Sequence, residues 1–118
     1  NSHGQLGTGD RLLRSTPTAI AGMTNVVGLA AGYEHSLFLV DNASNRSCYA
    51  VGSNQQGQSA QSSPLVLSPM MVDSYTTVVE ITAGPYSSML ILNGVSVKQW
   101  GQMGDGRKVN IPEVFIEL

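Results

Sequence analysis

Residues 26–40, VVGLAAGYEHSLFLV, and residues 78–92, VVEITAGPYSSMLIL, are two versions of one pattern displaced by 52 positions. Val26-Val27 fall on Val78-Val79, Ala31-Gly32 on Ala83-Gly84, Ser36 on Ser88, Leu37 on Met89, Leu39 on Ile91 and Val40 on Leu92; upstream, Pro17 falls on Pro69. A polar phrase, Asn-x-x-Gly-Gln, also occurs twice, at Asn1/Gly4/Gln5 and at Asn54/Gly57/Gln58, displaced by 53. Further on, Gly52 falls on Gly101 at a displacement of 49. The second copy is three residues shorter at the place of DNASNRS (41–47), where a hairpin loop absorbs a deletion. A chain that repeats a unit of about fifty residues is one in which each unit is a supersecondary element whose open faces must be covered by its neighbours.

The unit reads as strands. VVGLAAG and VVEITAG are rich in β-branched residues, SLFLV and SMLIL are short continuous apolar runs, and CYAVGS and VKQWGQ supply a third segment. The residues after Pro17 (TAI), Pro69 (MMV) and Pro112 (EVFIEL) read as an outer strand, since proline fits the start of an edge strand. No 3.6-residue periodicity runs anywhere in the chain. Four antiparallel strands per unit is the arithmetic of a β-propeller blade. The fold class is therefore all-β: about two four-stranded blades plus one extra strand, a partial propeller in a single domain. The expected division is 1–16 between blades, 17–53 the first blade, 54–68 between blades, 69–102 the second blade, and 103–118 a connection with the first strand of a third. Closure takes roughly four to eight blades, so the remaining blades of a larger protein, or self-association, are expected to complete the ring.

Charge and cysteine content exclude several classes. Six basic and eight acidic residues give a net charge of −2, and the bases (Arg11, Arg14, Arg46, Lys98, Arg107, Lys108) are scattered. Phosphate contacts need clustered cations, so nucleic acid is not an expected partner. The single cysteine, Cys48, excludes an internal disulfide and points to an intracellular setting, cytoplasmic or nuclear. The most apolar stretch, Val26–Val40, is broken by Gly28, Gly32, Glu34 and His35 and is too short to span a membrane.

Together the repeat positions resemble the regulator-of-chromosome-condensation (RCC1-type) repeat. That repeat runs approximately Asn-x-x-Gly-Gln-Leu-Gly-x-Gly-Asp, then Pro, then Val-x-x-Ile-Ala-x-Gly-x-x-His-Ser-x-x-Leu, then Trp-Gly. The chain supplies Asn1, Gly4, Gln5, Leu6, Gly7, Gly9 and Asp10, then Pro17, Val27, Ala31, Gly32, His35, Ser36 and Leu39. Val51-Gly52 stands for Trp-Gly in the first copy; Trp100-Gly101 restores it in the second. The second copy departs elsewhere, with Ser87 in place of His35 and Ser59-Ala60 in place of Leu6-Gly7. Kelch-type repeats want Gly-Gly and WD-type repeats want Gly-His and Trp-Asp, and this chain has none of these pairs. The resemblance implies a protein-interaction propeller; the family's name-giver implies guanine-nucleotide exchange on a small GTPase as an alternative, and chromatin docking as a second.

The residues point the same way. Gly4, Gly7, Gly9, Gly32, Gly52, Gly57, Gly84 and Gly101 read as backbone devices in turns and close approaches, with Gln5 and Gln58 bonding across the joins. GQLGTGD lacks the spacing and the Lys-Ser/Thr ending of a phosphate loop. His35 and Ser36 are strand neighbours that point to opposite faces, which does not make a nucleophile and its base; His35 is expected to bridge strands in the interior. Trp100, the only tryptophan, is a repeat position. One Cys and two distant His give no metal-ligand spacing, and no catalytic residue, cofactor or metal is expected. The polar hairpin around Asp41, Asn42, Asn45 and Arg46 is the candidate partner loop; two glycosylation triplets within it, at Asn42 and Asn45, are treated as chance. The expected function is a non-catalytic protein–protein interaction scaffold. Two blades leave two sheet faces open, so the isolated chain is expected to be oligomeric, aggregation-prone or partner-bound. A cooperative monomer in analytical ultracentrifugation would overturn that expectation.

Overall fold

The computed structural model describes residues 1–93 and 96–117 and consists of eight strands. β1 (Val26–Ala31), β2 (His35–Asp41), β3 (Arg46–Ser53) and β4 (Leu65–Met71) form one antiparallel sheet in that order. β5 (Val78–Ala83), β6 (Ser87–Leu92), β7 (Ser96–Gln102) and β8 (Lys108–Glu117) form the second, in the same order. The two sheets share two of their irregularities, and the second has one more, between Val97 and Lys98. A register shift falls after the first residue of each innermost strand, between Val26 and Gly28 and between Val78 and Glu80. Another falls just before Gly52 in β3 and before Gly101 in β7, the two glycines the repeat aligns. At these two positions φ is +110° and +99°, and a Cβ would meet the carbonyl oxygens of Glu34 and Tyr86 respectively. The backbone thus passes so close to the preceding hairpin that a side chain has no room.

Strand ownership differs from the sequence expectation. The strand carrying Pro69 closes the first sheet, and the strand carrying Pro112 closes the second, each pairing with the third strand before it. The sheets therefore span 26–71 and 78–117, where 17–53 and 69–102 were expected, and residues 112–117 belong to the second sheet where a third was expected; Leu118 lies outside the described residues. Thr18, Ala19 and Ile20, after Pro17, are in no strand. The cause is local: β3 leaves an open edge as it ends, and a short return to that edge is the nearest pairing available. Proline at the outermost position costs no ladder bond, because the edge strand already has unpaired N–H groups.

The main core lies between the sheets. Leu37, Leu39, Cys48 and Ala50 of the first sheet face Val78, Ile81, Leu90 and Trp100 of the second, with Val72 from the crossing segment wedged among them. A smaller cluster, Phe38, Val51 and Val66, sits on the far face of the first sheet and is partly covered by Ile20 and Met23. Lower down, the Arg46 N–H donates to the Thr76 carbonyl at 2.8 Å and stitches the two blades together.

Position in this stack decides what a side chain contributes. Leu37 is fully buried and Leu29 is 72% exposed. Leu37→Ala should therefore lower unfolding free energy by about 2–5 kcal/mol, while Leu29→Ala should stay within about 0.5 kcal/mol. Urea denaturation of the two variants checks the contrast.

Candidate functional site

The joint between the blades is a buried hydrogen-bond network centred on one backbone atom. The segment 54–63, which follows β3, folds over the top of the sheets and places the carbonyl of Gln58 where two donors reach it. Ser88 Oγ donates to it at 2.9 Å and Trp100 Nε1 at 2.9 Å. His35 of the first blade approaches from the other side, its Nε2 2.8 Å from Ser88 Oγ. Ser88 has one proton, which goes to Gln58, so its lone pair accepts the His35 Nε2–H; the imidazole is the neutral tautomer protonated on Nε2. His35, Gln58, Ser88 and Trp100 are all essentially inaccessible to solvent. Burial pushes the imidazole down to about 4, against a smaller opposing pull from the Ser87 backbone.

The same joint is built a second time at the start of the chain. Ser36 Oγ donates to the Gln5 carbonyl at 2.8 Å, as Ser88 does to Gln58. The side chains of Gln5 and Gln58 each accept the N–H two residues earlier, His3 and Gln56. Asn1 Oδ1 accepts from the Leu6 N–H and Asn54 Oδ1 from the Ser59 N–H, both at 2.9 Å. Asn1 Nδ2 reaches the Asp10 carbonyl and Asn54 Nδ2 that of Ser63. The aligned asparagines and glutamines thus hold the loops that cap the blades. Where Trp100 donates in the second blade, Val51 stands in the first and makes no such bond.

The glycines of the motif sit within this frame. Gly4, Gly7, Gly9 and Gly57 have positive φ in the loops, and a side chain on Gly4 would strike Leu67 and one on Gly57 the Val109 carbonyl. A Cβ on Gly32 would strike the His35 imidazole, and one on Gly84 the Ser87 hydroxyl.

Both ends of the sheets carry exposed loops. At the capped end the β1–β2 and β5–β6 hairpins present Tyr33 and Tyr86, whose rings meet edge to face with centroids 5.6 Å apart. The Tyr33 N–H donates to the Pro85 carbonyl at 3.1 Å, so the pair bridges the blades. His3 and Glu34 lie beside them, 3.7 Å apart, and Arg107 bonds both Asp105 and Glu113. The Arg107 guanidinium holds the Asp105 carboxyl below the usual range.

The candidate partner loop lies at the opposite end. Asn42 and Asn45 are exposed there, and Asn25 Nδ2 donates to Asn42 Oδ1 at 3.0 Å. Asp41 accepts the Ala43 N–H and faces the Arg46 guanidinium at 3.3 Å, so these two are partly occupied in shaping the hairpin. The structure does not bring the loop together with the joint.

Sequence reasoning named His35, Gln58 and Trp100 singly. It missed Ser88 as their common partner, although the coincidence of Ser36 and Ser88 marked it. It also missed Tyr33 and Tyr86, which occupy different repeat positions and so leave no trace in the alignment. Burial pushes the Cys48 thiol up to about 12, which keeps it protonated and unreactive. Among the described residues, no three His, Cys, Asp or Glu side chains are grouped so as to hold a metal ion.

Two four-stranded antiparallel sheets, stacked face to face and joined by a capping loop that carries the repeat's Asn and Gln, define blades of a β-propeller. Residues 1–39 match the family model for the regulator of chromosome condensation (RCC1) repeat. The fold is shared with human WBSCR16 (TM-score 0.77, 22% identity, covering 98% of this chain and 33% of that one). It is shared with Prp20p, the RCC1 of Saccharomyces cerevisiae (0.81, 19%, covering 99% and 33%). The same holds for yeast RCC1 (Prp20) in its complex with Kap60 (0.80, 19%, covering 99% and 32%). This chain spans about a third of the length of those proteins.

The buried imidazole gives the joint a pH dependence. With a folded value of about 4 against 6.5 in a free histidine, the unfolded chain takes up the proton first as pH falls. The contribution of His35 is intact above about pH 6.5 and is lost progressively toward pH 4, at about 1.4 kcal/mol per pH unit and about 3 kcal/mol in all. His35→Gln, which keeps a donor but does not titrate, should flatten stability between pH 6.5 and 4 relative to the parent, as read by denaturant titration at several pH values.

Proposed function

We propose that this chain is a non-catalytic protein-interaction module, part of a propeller that recruits a partner through its capped end. The observation that carries the reading is the Tyr33–Tyr86 pair. Exposed tyrosines are enriched in binding hot spots because they offer large, stiff surface with a polar tip. Here they are held by backbone bonds to two rigid blades, so little conformational entropy is lost on docking. Asn42 and Asn45 offer a second contact point at the far end. The titratable groups of the interior, His35 and Cys48, are held neutral and have no part in binding.

Two solved relatives in fold support a protein partner. Yeast RCC1 (Prp20) has been crystallised bound to Kap60, and the work on Prp20p concerns its binding to Gsp1p and histones. Binding of a small GTPase, with nucleotide exchange as its consequence, is therefore the alternative reading. Exchange proceeds by binding and deforming the GTPase and needs no catalytic triad. Docking on histones through acidic and aromatic surface is the third reading.

The test is biolayer interferometry of the chain against Gsp1p and against histone octamers, with fluorescent-nucleotide release as the exchange readout. The Tyr33→Ala/Tyr86→Ala pair is expected to weaken whichever interaction is found by about tenfold or more, equivalent to about 1.4 kcal/mol. Asn42→Ala/Asn45→Ala should have a smaller effect. Equal loss from both pairs, or none from the tyrosines, overturns the assignment of the capped end.

A further inference from the structure

Beside the tyrosine pair, the capped end carries an acid with no permanent cation of its own. The ring planes of Tyr33 and Tyr86 stand at 76°, edge to face, on the seam between the two blades. Such a contact sets the positive edge of one ring on the negative face of the other. It leaves an angle in which each ring still offers a face. The centroids are 5.6 Å apart, so a single group seated in that angle lies within cation–π reach of both, about 6 Å. Tyr33 is 69% exposed and Tyr86 37%, so both rings can be reached from solvent.

Glu34 adjoins Tyr33 at the hairpin tip and holds the repeat position of Tyr86. Its carboxylate lies 3.7 Å from His3 Nε2, too far for a hydrogen bond. The other acids of this end are engaged: Asp10 by Arg14, and Asp105 and Glu113 by Arg107. All three tip residues are held by backbone bonds. The Glu34 carbonyl accepts the Ser53 N–H at 2.8 Å, the Tyr86 carbonyl accepts the Gln102 N–H at 2.9 Å, and the Tyr33 N–H donates to Pro85 at 3.1 Å. Gly52 and Gly101 leave the room for the first two approaches. Rings and carboxylate are thus presented on fixed backbone, and little ordering is left to be done on binding.

We propose that Tyr33, Tyr86 and Glu34 form a receptor for one cationic side chain, a lysine or arginine of the protein segment that docks on the capped end. The ring faces attract the cation and the carboxylate pairs with it. A neutral side chain of the same length gains burial alone, and an acidic one is repelled by Glu34. Charge complementarity therefore selects the occupant: a segment that presents a basic residue to the seam between the blades. This inference rests on the reading of the capped end as the recruiting surface and names the chemistry of what it recruits.

The test uses the smallest such segment. End-blocked Gly-Lys-Gly and its norleucine analogue are titrated into the full chain. Binding is followed by NMR at the ring protons of Tyr33 and Tyr86 and at the lysine ε-methylene, which a ring face moves upfield. The lysine peptide should bind about threefold or more tightly than the norleucine peptide, the sum of an exposed cation–π contact and an exposed ion pair. Glu34→Gln should reduce that margin. Tyr33→Phe keeps the ring face and should keep the margin, whereas Tyr33→Ala should lose most of it. Equal binding of the two peptides, rings that do not respond, a margin untouched by Glu34→Gln, or its loss in Tyr33→Phe overturns the proposal. The two readings fail separately. If the tyrosine double variant weakens a protein partner while the two peptides bind alike, the cation site falls and the capped-end reading stands. If the lysine peptide keeps its margin while the double variant leaves the partner's binding unchanged, the capped-end reading falls and the cation site stands.

Discussion

The carbonyl of Gln58 is the point on which the two blades turn. It belongs to neither sheet, yet it receives the Ser88 hydroxyl and the Trp100 indole N–H from the second, while His35 of the first donates into Ser88. A buried backbone carbonyl must be satisfied, and here a polar loop, not a strand, supplies the acceptor. That requirement fixes the loop over the interface, and the loop in turn sets where β4 begins. Apolar contacts between Leu37, Leu90 and Trp100 provide most of the driving force. They are non-directional, however, and would tolerate several stackings. The network selects one, because each donor reaches its acceptor in a single arrangement.

This division of labour explains how the second unit keeps its shape after losing part of its motif. Ala60 stands where the first unit has Gly7, yet it holds a left-handed conformation, with φ of 52° against 75°. An alanine in that region is strained by about 1 kcal/mol. The neighbouring bonds, from the Ser59 N–H to Asn54 Oδ1 and from the Ala60 N–H to the Gly57 carbonyl, hold it there. The loop therefore persists because its asparagine, first glycine and glutamine persist. The Leu-Gly-x-Gly-Asp tail is dispensable for the cap.

Much of this was legible in the sequence. The displacement of Val26–Val40 onto Val78–Leu92 gave strands, order and stacking, because a periodic apolar pattern and a repeated turn are local signals. Strand ownership was not legible. Pro69 and Pro112 announce an edge strand but do not say which sheet it edges; that depends on where the return from β3 finds its open edge, a matter of three dimensions. The exposed pair Tyr33 and Tyr86 was hidden for a related reason. The two residues hold different positions in their hairpins and meet only because the blades are stacked.

On the function proposed above, recognition has to come from what breaks the repeat. Asn1, Gln5, Ser36 and their counterparts Asn54, Gln58, Ser88 are committed to one another, and substitution there costs the joint before it alters any surface. The features that occur once are free of that duty: the aromatic bridge across the hairpins, the Asp105–Arg107–Glu113 cluster beside it, and the longer hairpin around Asn42 and Asn45 at the far end. Each is anchored by backbone pairing at its base and open at its tip, the combination that lets a rigid scaffold carry a specific contact without risking its core. The repeat thus states the architecture, and its exceptions are where this chain differs in what it can bind.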